Sequence, residues 1–440
     1  MRIKQISVIG LFGIFNHVIP LNMDDRITVI HGPNGFGKTA MLTILDGLFN
    51  SRYSKLRTIP FSKFRVEFDD DSNIEIIKNV DNSEETENNF VFNFHDNNNF
   101  HDSNVDTINF KPKIRPDIEN PSLNILDNSI AQSIVPWGLA AAVLKGWYDS
   151  SKVKYKSEAE PEWFEKLKKN IYIRLIESQW LLNLFPNRPF NSDDRTPTIE
   201  STVSAYSNEL AKLMQDKFKE YGTISQSLDR TFPMRVVKQQ SSPDITNEQL
   251  RNQLKELEET RSRLIEVGLL DQDEYSEFQI QPQDIDESTK NALSVYVEDV
   301  EKKLNVFNEI AIKINLLKRI INNKFSYKEI NFSKEKGFIF TTLYDSSLSD
   351  SKILSPIDLS SGEQHELVLL YELLFKVQPN SLVLIDEPEL SLHVGWQIQF
   401  LKDLQEITKL ANVDILIATH SPDIIQDRWD LTVELKGTGK

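Results

Sequence analysis

The segment His31-Gly-Pro-Asn-Gly-Phe-Gly-Lys-Thr39 constrains this chain more than any other stretch. It contains G-x-x-x-x-G-K-T from Gly32 to Thr39. Glycines let such a loop turn with its amide groups pointing inward at phosphates. Lys38 adds a point charge between a β- and a γ-phosphate, and Thr39 offers a hydroxyl to Mg²⁺. The motif requires a strand before it and a helix after it. Arg26–Ile30 is short and β-branched, and Lys38–Leu48 carries helical apolar spacing, so both are present. The helix adds the positive end of its dipole. Gly32, Pro33, Asn34, Gly35, Phe36, Gly37, Lys38 and Thr39 are therefore the candidate phosphate-binding set. A loop of this kind sits on a parallel α/β sheet, which the remaining sequence has to supply.

Three segments near the other end supply it. Leu382-Val-Leu-Ile-Asp-Glu387 is an apolar run ending in two carboxylates, the look of a buried parallel strand whose carboxyl end carries chemistry. Asp386 would hold the metal ion through water, and Glu387 would be the general base or water-positioning residue. Asp414-Ile-Leu-Ile-Ala-Thr-His420 reads as a second such strand, with His420 placed to sense a γ-phosphate. Leu359-Ser-Ser-Gly-Glu-Gln364 precedes the helical run His365–Phe375. Ser360, Ser361, Gly362 and Glu363 can bind an anion at a helix N-terminus, or simply cap the helix as a Ser/Glu box.

Composition bounds the class. At 440 residues, 39% hydrophobic and 26% charged, the chain is an ordinary globular protein with room for two or three domains. It has no cysteine, which excludes disulfides and thiolate metal sites and fits a reducing, cytoplasmic setting. The net charge of −16 argues against a non-specific coat for nucleic acid, without excluding a local basic patch. Arg2 and Lys4 ahead of the apolar run Ile6–Phe15 resemble a secretory signal. No small-residue cleavage site follows, however, and the phosphate loop needs this segment as a strand. No apolar stretch approaches the roughly twenty residues that span a bilayer.

Between the two ends the pattern changes. Ile3–Ile9, His17–Leu21, Phe64–Phe68 and Ile74–Ile77 read as strands, and residues 81–107, crowded with Asn, Asp and Glu, as a solvated insertion. From about 125 to 225 the reading is helical, broken by a strand at Ile171–Ile176. Leu250, Leu254, Leu257 and Leu264 share one seam, and Leu293, Val297, Val300, Leu304, Phe307, Ala311 and Ile314 another. Two helices so spaced predict an antiparallel hairpin over about 245–322, its second arm reaching about 44 Å over roughly 29 residues. Two amphipathic helices packed within a helical domain account for the pattern nearly as well. The expected organisation is an N-terminal lobe 1–124, a mainly helical insertion 125–325 to which 171–180 is the exception, and a C-terminal lobe 326–440.

In order and spacing, the phosphate loop, L-S-S-G-E, the apolar-D-E-P run and A-T-H resemble the ABC ATPases, and within them the SMC, RecN and RecF-like group. The resemblance covers 1–50 and about 340–430. It implies an α/β head assembled from both ends of the chain, binding ATP and Mg²⁺, and dimerising around two ATP molecules. Ser360 and Gly362 of one chain would then complete the site of Lys38 and Glu387 in the other. The family's Q-loop glutamine, a further Mg²⁺ and nucleotide contact, maps to Gln179, with Gln132 the only earlier candidate. Ser391-Leu-His393 falls at the D-loop but lacks its aspartate.

Asp386-Glu-Pro-Glu-Leu-Ser-Leu-His393 with Thr419-His-Ser-Pro422 further resembles stand-alone ATPases of bacterial anti-phage systems, the OLD-type proteins and the Septu and PARIS ATPase subunits. OLD-type proteins carry a Toprim nuclease after the His motif, for which this sequence has no room. The expectation is thus an ATPase without its own nuclease, a dimer or higher oligomer gating a separately encoded nuclease or toxin. The alternative is a RecF-like or SMC-like repair or chromosome-maintenance ATPase that clamps DNA. A transporter subunit fits less well, because of the long insertion.

Overall fold

The computed structural model describes residues 1–79, 89–95, 105–106, 162–176, 182–184, 199–238, 246–271, 287–343 and 353–437. They form two compact units, Met1–Glu200 with Lys376–Lys440, and Ser201–Phe375. Strand labels below run in chain order.

The first unit holds two main sheets. One has five parallel strands in the order β16 (Thr432–Glu434), β3 (Ile27–His31), β15 (Asp414–Ala418), β14 (Leu382–Asp386) and β8 (Ile173–Ile176). The first four residues of β3 and of β14, and all five of β15, are buried, as expected of parallel strands covered on both faces. The chain ends thus assemble one sheet, as the motif order requires, and the α/β fold class is borne out. Strand β8 joins it from the middle of the sequence, next to β14.

The other sheet is antiparallel, in the order β2 (Phe15–Pro20), β1 (Ile3–Leu11), β4 (Lys63–Phe68), β5 (Asn73–Asn79), β6 (Asn89–His95) and β7 (Val105–Asp106). The expected signal-like segment is therefore a strand, with Ile3, Ile6, Val8 and Leu11 in the core. Phe64, Val66, Phe68, Ile74 and Ile76 share that core with Met41, Leu45 and Leu48 of helix Lys38–Phe49 and with Leu384 and Leu416 of the parallel sheet. The phosphate-loop helix is held between the sheets by one apolar cluster. Arg2 adds a polar tie, donating through Nε to Asp414 Oδ2 at 2.8 Å. The expectation of a solvated insertion over 81–107 is wrong for 89–95. Phe90 and Phe92 alternate inward on β6 and are buried, because a period of two turns both to the same face whatever the polarity of the surrounding segment. The short strands β9 (Leu182–Leu184) and β10 (Ile199–Ser201) pair with each other.

The second unit is helical around a small sheet, β11 (Lys328–Ser333), β12 (Gly337–Thr342) and β13 (Ile353–Leu354). Helix Thr202–Lys238 runs 37 residues. Helices Asn247–Glu266 and Glu287–Asn305 pack as two arms of the expected hairpin, the first opened by a Thr246/Gln249 capping box. The second arm is shorter than its seam predicted. The helix stops at Asn305 and a new one runs Asn308–Lys324. Phe307, at the break, is fully buried against Tyr221 of the long helix, with ring centroids 5.4 Å apart. Packing onto a third helix replaced a straight two-helix arm.

The expected C-terminal lobe also begins too early at 326. Strands β11 to β13 and helix Ser361–Tyr371 belong to the second unit, because the turn before β12 is tied to the long helix. Ser207 Oγ donates to the Lys336 carbonyl at 2.8 Å and accepts from Phe338 N–H at 2.8 Å. Gly337 lies there at φ +71°, and a Cβ would stand 1.9 Å from the Ser207 carbonyl oxygen. Gly337→Ala should destabilise the protein by more than about 2 kcal/mol, combining left-handed strain with a backbone clash. Chemical denaturation followed by tryptophan fluorescence checks this, with Gly222→Ala, where a Cβ meets nothing, as the control.

Candidate functional site

Register decides which side chains meet. Asp386 stands opposite Ala418, and Ala418 opposite Ile30. The carboxyl ends of β14, β15 and β3 therefore finish level, and the three segments that leave them carry Glu387, His420 and the phosphate loop. Glu387 N–H donates to the Ala418 carbonyl and Thr419 N–H to that of Ile30, which extends both ladders by one bond. Strand β8 ends beside β14, with Ile176 opposite Ile385. Gln179, three residues on, and Gln132 lie outside the described residues.

Thr39 Oγ1 donates to Asp386 Oδ1 at 3.1 Å, so the two candidate metal ligands touch. Lys38 is 4% exposed and donates to the carbonyls of Gly32 at 2.8 Å and Pro33 at 3.2 Å. Burial pushes its ammonium below the ordinary lysine range, against the opposing pull of Glu387, Glu389 and Asp386. His420 Nδ1 lies 3.3 Å from Lys38 Nζ. An ammonium only donates, so Nδ1 accepts and the imidazole carries its proton on Nε2. That Nε2 is 3.7 Å from Glu387 Oε1. Lysine, histidine and glutamate form a chain at the mouth of the loop.

Backbone conformation supports the loop. Gly35 and Gly37 are left-handed at φ +83° and +92°, and a Cβ on Gly37 would come 2.3 Å from Leu11 Cδ2. His17 Nε2 contacts the Phe36 carbonyl at 2.9 Å, and Phe15 stacks on His17 while touching Phe36. Burial lowers the affinity of His17 for a proton, which keeps the imidazole neutral beneath the loop. Glu387 is itself left-handed, at φ +45°, a strained conformation for a residue with a side chain. Pro388 follows it, and Leu390 N–H donates to its carbonyl.

Ser360, Ser361, Gly362 and Glu363 lie in the second unit, at the start of helix Ser361–Tyr371. Within the chain they form the cap that the sequence also allowed. Ser360 N–H and Oγ both donate to Glu363 Oε2 at 2.8 Å, and Glu363 N–H donates back to Ser360 Oγ. Burial would raise the Glu363 carboxyl, but hydrogen bonds from Lys328 and Ser360 outweigh it and hold it below the usual carboxylate range. The D-loop candidate Ser391-Leu-His393 leads into helix Val394–Ala411, with His393 Nδ1 accepting from Gly395 N–H.

Sequence reasoning missed two contributors. Glu389 Oε1 accepts from His420 N–H at 2.6 Å, and its only sequence signal is its place two residues after Glu387. The β16 edge also closes on the loop. Leu435 N–H donates to the His31 carbonyl, and a Cβ on Gly32 would meet the Leu435 oxygen at 3.0 Å. Nothing in the short segment Thr432–Glu434 announces that pairing.

This geometry, a glycine-rich loop leaving β3 and a pair of carboxylates at the end of β14 on one parallel sheet, is that of the P-loop nucleotide-binding class. The sequence matches the AAA ATPase domain family (AAA_15) over residues 1–425, and the chain belongs to that family. It is 39% identical over 69 residues to protein ea59 of Escherichia phage lambda, a match spanning 16% of this chain and 13% of that protein. Solved structures with a related course include the SMC head domain from Thermotoga maritima, at 11% identity and TM-score 0.35, covering 97% of this chain and 92% of that one. Another is the Smc head domain of Pyrococcus furiosus with an extended coiled coil, bound to the C-terminal domain of ScpA. It stands at 11% identity and TM-score 0.33, covering 99% and 94%. Among the described residues no helix is long and apolar enough to cross a membrane.

Gly37→Ala should weaken ATP binding by at least about tenfold, since the loop must leave its left-handed turn or displace Leu11. Titration with a fluorescent ATP analogue measures this. Gly13→Ala, also at positive φ but with nothing within 4 Å of a Cβ, controls for strain alone.

Proposed function

We propose that this chain binds ATP with Mg²⁺ and hydrolyses it at the site formed by Lys38, Thr39, Asp386, Glu387 and His420. The observation that carries the reading is the contact set itself. A buried lysine, a Thr39–Asp386 hydrogen bond and a Glu387–His420 pair converge at three level strand ends. The donor set fits the group. Thr39 and Asp386 offer the hard oxygen ligands that Mg²⁺ prefers, and among the described residues Lys38 has carbonyl and imidazole partners that phosphate oxygens can replace. Bound Mg²⁺ would supply charge neutralisation on the phosphate oxygens. Lys38 orients the β- and γ-phosphates. Glu387 accepts a proton from the attacking water, or aligns it, and His420 stands beside both.

Inside one chain Ser360 and Glu363 cap the helix that opens at Ser361. The resemblance of the Ser-Ser-Gly-Glu segment to the ABC signature supports a second step, closure of two copies so that Ser360 and Gly362 of one face the ATP of the other. The D-E-P-E-L-S-L-H and T-H-S-P segments support a role as a nucleotide-gated scaffold for a separately encoded effector, a nuclease or toxin, in anti-phage defence. The gating has a physical requirement: the open and closed forms must present different contacts to the effector.

Lys38→Ala should bind no measurable ATP, while Glu387→Gln should bind it and turn it over at least about a hundredfold more slowly, having lost only the base. Effectors recovered from cells with the two variants should differ. Equal ATP binding by Lys38→Ala and wild type ends the site assignment. Identical partner sets, with ATP-dependent DNA binding by the isolated chain, end the scaffold reading in favour of a DNA clamp.

Ser360→Arg should block hydrolysis while leaving ATP binding intact, and mixing it with Lys38→Ala should restore part of the activity, because one of two composite sites is whole. No recovery from folded, exchanging chains means that each chain hydrolyses ATP alone.

A further inference from the structure

The turns that leave β14 and β15 are fastened together by a network that includes no loop residue from 32–39. His420 N–H has no carbonyl to pair with once the ladder to β3 has passed Thr419, and it donates instead to Glu389 Oε1 at 2.6 Å. One residue on, Ser421 Oγ donates to Gln397 Oε1 at 2.7 Å. The Gln397 amide in turn donates to the carbonyls of Leu392 at 3.2 Å and Glu389 at 3.4 Å. Gln397 is buried, so this second fastening is shielded from water. The turn Glu387–Leu392 and the turn Thr419–Ser421 are thus tied to each other at two points. A backbone N–H donating to a carboxylate at this distance is among the stronger single hydrogen bonds a turn can have.

What the fastening fixes is the imidazole. His420 reaches Lys38 Nζ at 3.3 Å through one ring nitrogen and stands 3.7 Å from Glu387 Oε1 through the other. Both distances are set by where the His420 backbone sits, since the ring has only two rotatable bonds to place it. Glu389 has a further property that a mere turn residue would not need. Its second oxygen, Oε2, is buried with no hydrogen-bond partner among the described residues. Lys38 lies near enough for its charge to attract the Glu389 carboxylate. A half-buried carboxylate with one oxygen so withdrawn loses part of its hydration without gaining a hydrogen bond there. A threonine or serine here would form a turn without that cost, but would not span to the His420 amide.

We infer that Glu389 is the positioning residue for His420, holding its backbone amide so that the imidazole bridges Lys38 and Glu387 during ATP hydrolysis. This rests on the ATPase reading above. Glu389 acts as a hydrogen-bond acceptor and not as a base, so the amide oxygen of glutamine serves in its place. Any group that cannot accept lets the His420 turn drift and slows the chemical step without touching the phosphate cradle.

The experiment is steady-state ATP hydrolysis by the full chain, with ATP and Mg²⁺, for five proteins besides wild type: Glu389→Ala, Glu389→Met, Glu389→Gln, His420→Ala and the double variant Glu389→Met/His420→Ala. Glu389→Met fills the same volume without an acceptor, and serves if the alanine variant fails to fold. The expected result is a fall in kcat of about tenfold for the alanine and methionine variants. KM should stay within about twofold and Glu389→Gln within about threefold of wild type in kcat. The double variant should be no slower than His420→Ala, because the methionine acts through the histidine. Three outcomes overturn the inference: a Glu389→Gln as slow as the methionine variant, which makes the carboxylate charge itself the requirement; additive losses in the double variant; or a methionine variant as fast as wild type. A wild-type chain that hydrolyses no ATP removes the ATPase reading instead, and is told apart from these by that measurement alone.

Discussion

The level ending of β3, β15 and β14 is the constraint on which the site depends. Each strand is short, and each turns from an apolar run to polar residues within one position of the others. Because the ladders are parallel and in register, the Lys38 ammonium, the adjacent Asp386 and Glu387 carboxylates and the His420 imidazole are delivered to one edge from three segments separated in sequence. A slip of one residue in a parallel pair would turn alternate side chains to the opposite face. Ile415, Leu416 and Ile417 in the centre of the sheet, all at most 1% exposed, fix the register by burial. The apolar middle of each strand thus positions the charged end.

Gathering that much charge has a cost, and the local structure shows how it is met. Lys38 is desolvated and held by two loop carbonyls, while three carboxylates nearby keep its charge favourable. Glu387 takes a left-handed backbone that leaves its carboxylate at the sheet edge, secured by its own N–H on the Ala418 carbonyl. Strain of this kind persists only where surrounding bonds over-determine it. The Glu389–His420 and Gln397–Ser421 links supply two of those bonds.

The second unit follows a different logic. Its helix Ser361–Tyr371 is fastened to helix Asn308–Lys324 and to β11 by ion pairs, Lys324 with Glu366 in the interior and Lys328 with both oxygens of Glu363. The first pair is almost wholly withdrawn from water, where losing one partner is far more costly than at a surface. Ser360 thus stands at the start of a helix tied at two points, with its hydroxyl engaged by Glu363.

What the sequence determined by itself was whatever a short, contiguous pattern encodes. Gly32–Thr39 specified its own loop because each residue type there has a local physical role. The runs ending at Asp386 and Ala418 specified buried strands by their unbroken apolarity. The same reasoning failed wherever the decisive partner was remote. Residues 89–95 looked solvated because the wider segment 81–107 is crowded with Asn, Asp and Glu, yet Phe90 and Phe92 found a core that β5 and helix Glu162–Lys168 complete. The hairpin arm looked continuous because its seam is, yet Phe307 found Tyr221, and the helix broke there. Glu389 carried no signal beyond its place after Glu387, because the amide it accepts from is 31 residues away and is brought near by the pairing of β14 with β15. Local pattern sets backbone conformation and burial through nearest neighbours and period. Which side chains meet across elements is set by packing, whose energy is shared among residues that no window of sequence contains together.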